Sequence, residues 1–266
     1  MTQLRDMILG LRPDLAVYLL VLARMVGLML IAPIFGSRIV PARVRASVAL
    51  FLSIALLPAV PVGASQNIAQ LEEPAWLVIA FGMETAIGFL IGLVAQFVFA
   101  GVQMAGQLAG ISMGVGLANL VDPQTQERVT SLAQWQNLIA LFLFLSVDGH
   151  HMLIRTIAQS LELLPLGAQS IGGPGIGIVL TMAGGIFVIA MKIAAPVLVL
   201  ILMINGALGV LTKMIPQLNV MVVGFGLNVA AGFFVLGASQ PFTFRILEGA
   251  FGGLAGLLAN LVAALR

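Results

Sequence analysis

Cysteine is absent from this 266-residue sequence, which excludes disulfides, thiolate catalysis and Cys-ligated zinc. Charge is scarce: Asp, Glu, Lys and Arg make up only 8% of the chain, against about 25% in ordinary soluble domains. With a net charge of +2 and no basic run interleaved with aromatics, the chain offers nucleic acid nothing to hold. The N-terminal MTQLRDMILGLRPD is no clear signal peptide, because Arg5 and Arg12 are offset by Asp6 and Asp14. The apolar run behind it is longer than a signal core of about 7–15 residues and reads as a retained membrane helix. Enzyme signatures are missing too. There is no nucleophile–base pair, phosphate-cradling loop, paired carboxylate or nucleotide fingerprint. Gly110-Ile111-Ser112-Met113-Gly114 has the spacing of a serine elbow but neither its strand–turn–helix setting nor an acid–base partner. The chain reads as non-enzymatic, with no cofactor.

What is abundant is apolar surface. Hydrophobic residues make up 61% of the sequence, and the mean hydropathy is +1.14. A soluble core of this length cannot hide that much, so the surroundings are membrane lipid or the apolar faces of other subunits. Leu15–Phe35 has the length of a membrane span, about 20 residues, and carries only Arg24. Ala46–Val62, Val129–Val147, Val220–Ser239 and Ile246–Leu265 are further apolar runs. Ala75–Val121 and Ile176–Ile215 are each too long for one ordinary span. At about 1.5 Å per residue the first would reach roughly 70 Å as a helix, against a hydrocarbon core of about 30 Å. It must be a hairpin, a helix leaving the membrane plane, or a span followed by irregular backbone, and its glycines favour the last two. Lys192, Pro196 and Asn205-Gly206 are expected to interrupt the other. The total is six or seven apolar segments in one all-α integral membrane unit. Arg38, Arg43 and Arg45 lie in a loop without acids, while Glu72 and Glu73 lie in one without bases. The positive-inside rule places the first loop in the cytoplasm, and the second loop and the N-terminus outside.

Few polar residues lie inside the apolar runs. Glu84 is followed by Gly88, Gly92 and Gln96 at four-residue spacing, a slowly drifting helical stripe that Gln103 and Gln107 rejoin. A carboxylate at bilayer depth costs at least about 2.5–3.5 kcal/mol, so it faces protein or water. It is either a proton or ion site or a polar seam where small residues pack against another subunit. Arg24 or Lys192 would serve as its partner. Asp148, His150 and His151 are three possible metal ligands, but adjacent helical histidines point about 100° apart. A helix-end interface patch is the preferred reading there, with no metal.

The densest glycine stretch runs from Gly101 to Arg128, with Gly106, Gly110 and Gly114 at four-residue spacing, then Gly116, closed by Asp122-Pro123. Each glycine inside a helix costs about 1 kcal/mol relative to alanine. Their number implies close packing or a bend.

An ordered set of motifs carries a resemblance. It begins with Arg24-x-x-Gly27, Pro33-Ile34-Phe35-Gly36-Ser37-Arg38 and Pro41-x-Arg43-x-Arg45. It continues with Glu84-x-x-x-Gly88-x-x-x-Gly92 and Gly106-x-x-x-Gly110-x-x-Met113-Gly114 up to Asp122-Pro123. His150-His151, Leu164-Pro165, Lys192-Ile193-Ala194-x-Pro196, Asn205-x-x-x-Gly209 and Pro216-Gln217-Leu218-Asn219 come after these. From about residue 15 to 245 the chain resembles the R-subunit family of the flagellar type III export gate, the FliR/SctT family shared with virulence secretion systems. The resemblance implies kinked helical hairpins, a P-like part (about 1–175) joined to a Q-like part (about 176–266), in a helical multi-subunit gate. The implied setting is the bacterial inner membrane at the centre of the flagellar basal body. The implied partners are FliP, FliQ and FlhB, with unfolded flagellar proteins in transit. Because much of such a gate sits above the membrane plane, apolar segments need not all be crossings. The resemblance also implies a pore plug in the loop Gly110–Gln126: Gly110, Ile111, Met113, Gly114, Val115, Gly116, Leu117, Leu120, Val121, Asp122 and Pro123. Its glycines permit tight backbone, and its bulky apolar residues suit a constriction that gates by dewetting. Glu84, Gly88, Gly92, Gln96, Gln103, Gly106, Lys192, Pro216 and Gln217 are the expected subunit-interface positions. A stand-alone transporter or channel using Glu84 is the competing reading, and the virulence-system homologue is a closer one.

Overall fold

Two long apolar runs form uninterrupted helices, of 39 and 42 residues. The computed structural model describes residues 2–36, 40–61, 74–115, 131–167, 173–215 and 220–265. Within these, α1 is Thr2–Ile31, α2 Ala42–Leu56, α3 Pro74–Ser112, α4 Ser131–Ser146, α5 Gly149–Leu163, α6 Gly173–Met214, α7 Val220–Ala238 and α8 Gln240–Ala264. A 3₁₀ turn, Leu57–Ala59, carries Pro58 at its start. No strand occurs among the described residues.

The run from Ala75 is not a hairpin. α3 is one helix of 39 residues, and α6 is one of 42, so the interruptions expected at Lys192, Pro196 and Asn205-Gly206 do not end α6. Proline inside a helix removes one backbone hydrogen bond, but an apolar environment gives the rest of the ladder no competing partner and the helix continues. Four helices or helix segments among the described residues are long and apolar enough to cross a membrane: Ala42–Ala59, Leu77–Ser112, Gly177–Met214 and Gln240–Ala264. The bent pair α4 and α5 makes a fifth if counted as one span. Leu15–Ile31 and Val222–Ala238 are shorter apolar helices.

The chain divides into two compact units. The first comprises residues 1–96, 148–182 and 253–266. In it, α1 and the first half of α3 cross at glycines. A Cβ on Gly88 would collide with the Arg24 carbonyl and lie 3.0 Å from the Leu28 nitrogen, and one on Gly92 would lie 2.7 Å from Ile31 Cγ2. Close backbone approach of this kind is the packing mode that small residues four apart permit. α5 presents an apolar face through Leu153, Ile157 and Leu161, all buried, at the period of an amphipathic helix.

The second unit comprises residues 97–147 and 183–252. Phe99, Phe144 and Phe251 meet at its centre with ring centroids 5.3–5.6 Å apart, within the range in which aromatic pairs add about 0.5–1.5 kcal/mol each. α3 packs on α4 at Gly106, where a Cβ would collide with Ala133 Cα and lie 2.8 Å from Gln136 Oε1. A further cluster gathers Ala109, Met113, Leu132, Val197, Ile201 and Leu236.

Candidate functional site

Three features of the fold gather the chemistry-bearing residues. The first, in the first unit, is a buried charge network. Arg24 on α1 donates from Nε to Glu84 Oε2 on α3 at 2.6 Å and from Nη1 to Ser160 Oγ on α5 at 2.9 Å. Ser160 donates its own proton to the Ile157 carbonyl at 2.7 Å. The other carboxylate oxygen, Glu84 Oε1, accepts from the Gly167 N–H at 3.0 Å. Gly167 holds φ 79°, a left-handed conformation that glycine adopts without strain. The ionic side chains are 0% and 1% exposed. Arg24 Nη2 has no hydrogen-bond partner among the described residues. Of the two cations considered as partners for Glu84, Arg24 holds that place, and Lys192 is exposed.

Both Glu84 oxygens are thus engaged, one by the Arg24 guanidinium and one by a backbone N–H. The arrangement is that of a tie between α1, α3 and the α5 terminus. Gly88 and Gly92 lie on the same side of α3, against α1. Gln96 and Gln103 are half-buried, and Gly106 is buried. Pro216 and Gln217 lie outside the described residues.

The second feature, in the second unit, is the end of α3. The helix includes Gly110, Ile111 and Ser112 and then stops. The Met113 and Gly114 nitrogens close it with bonds to the Ala109 and Ile111 carbonyls at 2.9 and 3.0 Å. Gly114 sits at φ 84°, the left-handed position with which helices commonly terminate. Met113 is wholly buried in the cluster around Leu132, Val197 and Leu236, and Val115 packs against that cluster. A Cβ on Gly232 of α7 would lie 2.5 Å from Met113 Cγ, so α7 leaves its space to the methionine. Ile111 points the other way and is 60% exposed. Gly116, Leu117, Leu120, Val121, Asp122 and Pro123 lie outside the described residues.

A groove of about 660 Å³ opens beside this helix end, lined by Ile111, Met113, Gly114, Leu208, Phe225 and others. Its polar element is a pair of amides. Asn228 Nδ2 donates to Asn205 Oδ1 at 2.9 Å, linking α6 to α7.

The third feature is the break between α4 and α5. Asp148 takes φ 55° and precedes α5 without capping it through its side chain. Its carboxylate instead lies 3.1 Å from His151 Nδ1. The His150 and His151 rings stack 4.1 Å apart, so the 100° helical step between them does not separate their donor atoms.

Reasoning from sequence missed Ser160, Gly167 and the Asn205–Asn228 pair. Ser160 was discoverable, because it falls on the buried face set by Leu153, Ile157 and Leu161. Gly167 carried no signal, since its contact is a backbone N–H.

Comparison with known proteins places these features in a family context. The family described as bacterial export proteins, family 1, matches residues 15–254. The chain is 32% identical over 255 residues to the flagellar biosynthetic protein FliR of Escherichia coli K12, covering 94% of each. It is 32% identical over 240 residues to that of Pectobacterium carotovorum, covering 90% of each. It is 30% identical over 252 residues to that of Bacillus subtilis, covering 92% of this chain and 94% of the relative.

Proposed function

The chain belongs to the bacterial export proteins, family 1, and from that membership we propose that it is a core subunit of the flagellar type III protein export gate. In this reading it is a multi-pass protein of the inner membrane, at the centre of the flagellar basal body, and acts as a transport subunit with no enzymatic step. Its partners are FliP, FliQ and FlhB, and unfolded flagellar proteins pass through the assembly. The flagellar rather than the virulence system is favoured because the relatives named above are flagellar biosynthetic proteins.

Uncovered apolar surface fits a protein surrounded by lipid and neighbouring subunits. In the long helix α6, Leu180, Phe187, Leu202 and Met203 are 60–73% exposed, and Phe234 of α7 is 77% exposed. Patches of this kind mark surfaces that lipid or neighbouring subunits cover. The division into a P-like part (about 1–175) and a Q-like part (about 176–266) is retained as part of the proposal, as are the subunit-interface roles of Gln96, Gln103, Lys192, Pro216 and Gln217, while Glu84, Gly88, Gly92 and Gly106 pack inside the chain. The engagement of both Glu84 oxygens argues against the transporter reading built on that residue.

The pore-plugging role falls to the stretch just beyond α3. The single observation that carries it is the way α3 ends. Met113 is pinned in the interior while Gly114 turns the chain out of the helix at φ 84°. A segment that must yield to a passing polypeptide needs such a fixed root. Deleting residues 116–120, while keeping Met113 and Gly114, should raise the ion permeability of cells and leave the complex assembled. Unchanged membrane conductance with an intact complex would sink the plug assignment.

A further inference from the structure

We propose that Asp148, His150 and His151 form a binding site for a divalent transition-metal ion, with zinc the best fit. Among the described residues these three offer ligand atoms that all lie within 4.8 Å of one another. Zinc holds nitrogen and oxygen ligands at about 2.0–2.2 Å, which puts tetrahedral donors roughly 3.3–3.6 Å apart. His151 Nδ1 and Asp148 Oδ1 are already 3.1 Å apart, and the stacked His150 ring needs only a small rotation to join them.

Two observations outside the donor geometry point the same way. Asp148 precedes a helix, a position where Asp normally accepts a backbone N–H, yet its side chain makes no capping bond and turns to His151. It does so from a left-handed conformation, φ 55°, which Asp tolerates better than most residues other than glycine. His150 Nδ1 is buried and has no hydrogen-bond partner among the described residues, so that imidazole has donor capacity the fold does not use. His151 and Asp148 are 59% and 73% exposed, which leaves an ion a path in and an open position for water or for a side chain of a neighbouring protein.

The chemistry of the site also says which ions it refuses. The N-terminus of α5 disfavours a positive charge, so simple attraction by one carboxylate cannot hold an ion here. Binding must come from coordination by the two imidazoles. Imidazole suits zinc, nickel, copper and iron, whereas magnesium and calcium prefer oxygen.

The test uses the full-length chain in its detergent-solubilised complex, free of any polyhistidine tag, titrated calorimetrically with Zn²⁺ and separately with Mg²⁺. Asp148→Gly removes a ligand while supplying the residue that adopts φ 55° most readily, and His151→Gln removes an exposed one, so neither threatens the fold. One zinc per chain is expected for the wild type, at least tenfold weaker zinc binding in each variant, and no saturable magnesium binding. Absence of saturable zinc binding, or either variant binding zinc as the wild type does, would overturn the assignment.

Discussion

Removing one member of the Arg24–Glu84 pair should damage the protein far more than replacing both. The two side chains are 0% and 1% exposed, so solvent screens their interaction little, and an orphaned partner cannot rotate out to water. Breaking such a buried pair costs about 3–5 kcal/mol, roughly two to three and a half decades in the folded-to-unfolded ratio. Replacing both members by groups of similar volume is often neutral. Arg24→Met alone leaves a buried carboxylate, and Glu84→Gln alone leaves a buried guanidinium. In the double variant the Gln carbonyl still accepts from the Gly167 N–H, now bonded to Glu84 Oε1 at 3.0 Å. Ser160 keeps its bond to the Ile157 carbonyl. The Gln amide donor goes unpaired, a penalty of about 1–3 kcal/mol, and Ser160 Oγ loses the Arg24 donor while still donating its own proton. The double variant should therefore recover at least half of the stability that either single variant loses. Thermal unfolding of the detergent-solubilised complex, followed alongside accumulation of the chain in membranes, measures this. If the losses of the two single variants simply add in the double, the pair is not a coupled tie and the reasoning fails.

Gly88→Ala should lower accumulation by the equivalent of about 1–3 kcal/mol, since its Cβ meets the Arg24 carbonyl. Gly82→Ala, with nothing within 4 Å, should be neutral or stabilising by up to about 1 kcal/mol, and both can be read from unfolding temperatures. Met113→Ala should destabilise by about 2–5 kcal/mol because the side chain is wholly buried, whereas Ile111→Ala, 60% exposed, should stay within about 0.5 kcal/mol in the same measurement. In the cysteine-free background, Asn205→Cys with Asn228→Cys should be bridged by a short bifunctional thiol reagent, because the two amides meet at 2.9 Å. A double-cysteine chain that the reagent labels at each thiol separately, with no bridge, would contradict the α6–α7 pairing.

Period and polarity account for the part of the structure that was legible in the sequence. The Glu84, Gly88, Gly92 stripe was visible because four-residue spacing survives on any helix, and a lone acid in an apolar run had to find a cation. Arg24 was one of only two candidates. The boundaries of α4, Ser131–Ser146, agree to within two residues with the apolar run Val129–Val147. The reading failed where hydropathy is blind to backbone continuity. Pro196 and Asn205-Gly206 look like breakers, yet α6 runs through them. Between α7 and α8 the chain leaves helix only at Ser239, although Gln240–Arg245 separates the apolar runs Val220–Ser239 and Ile246–Leu265 in the sequence. There the Ser239 carbonyl accepts from both Phe242 and Thr243 at 3.0 Å, so the next helix starts at once.

The same contrast explains why the two ends of α3 invite different functional readings. Its first half is held by every kind of restraint available to a helix. Backbone meets backbone at Gly88, an ion pair is closed at Glu84, and the turn at Gly167 is bonded to the same carboxylate. Restraints of that density leave no low-energy alternative arrangement, because interiors are close-packed and resist continuous deformation. Just past the other end of α3, Met113 is 0% exposed, and the next residue is Gly114, whose φ of 84° an alanine could adopt only at a cost of about 1–2 kcal/mol. A glycine at that point lets the chain leave the helix in a direction the helix itself does not dictate. The proposed plug role thus draws, within the described residues, on the buried Met113 and the left-handed Gly114 that end α3.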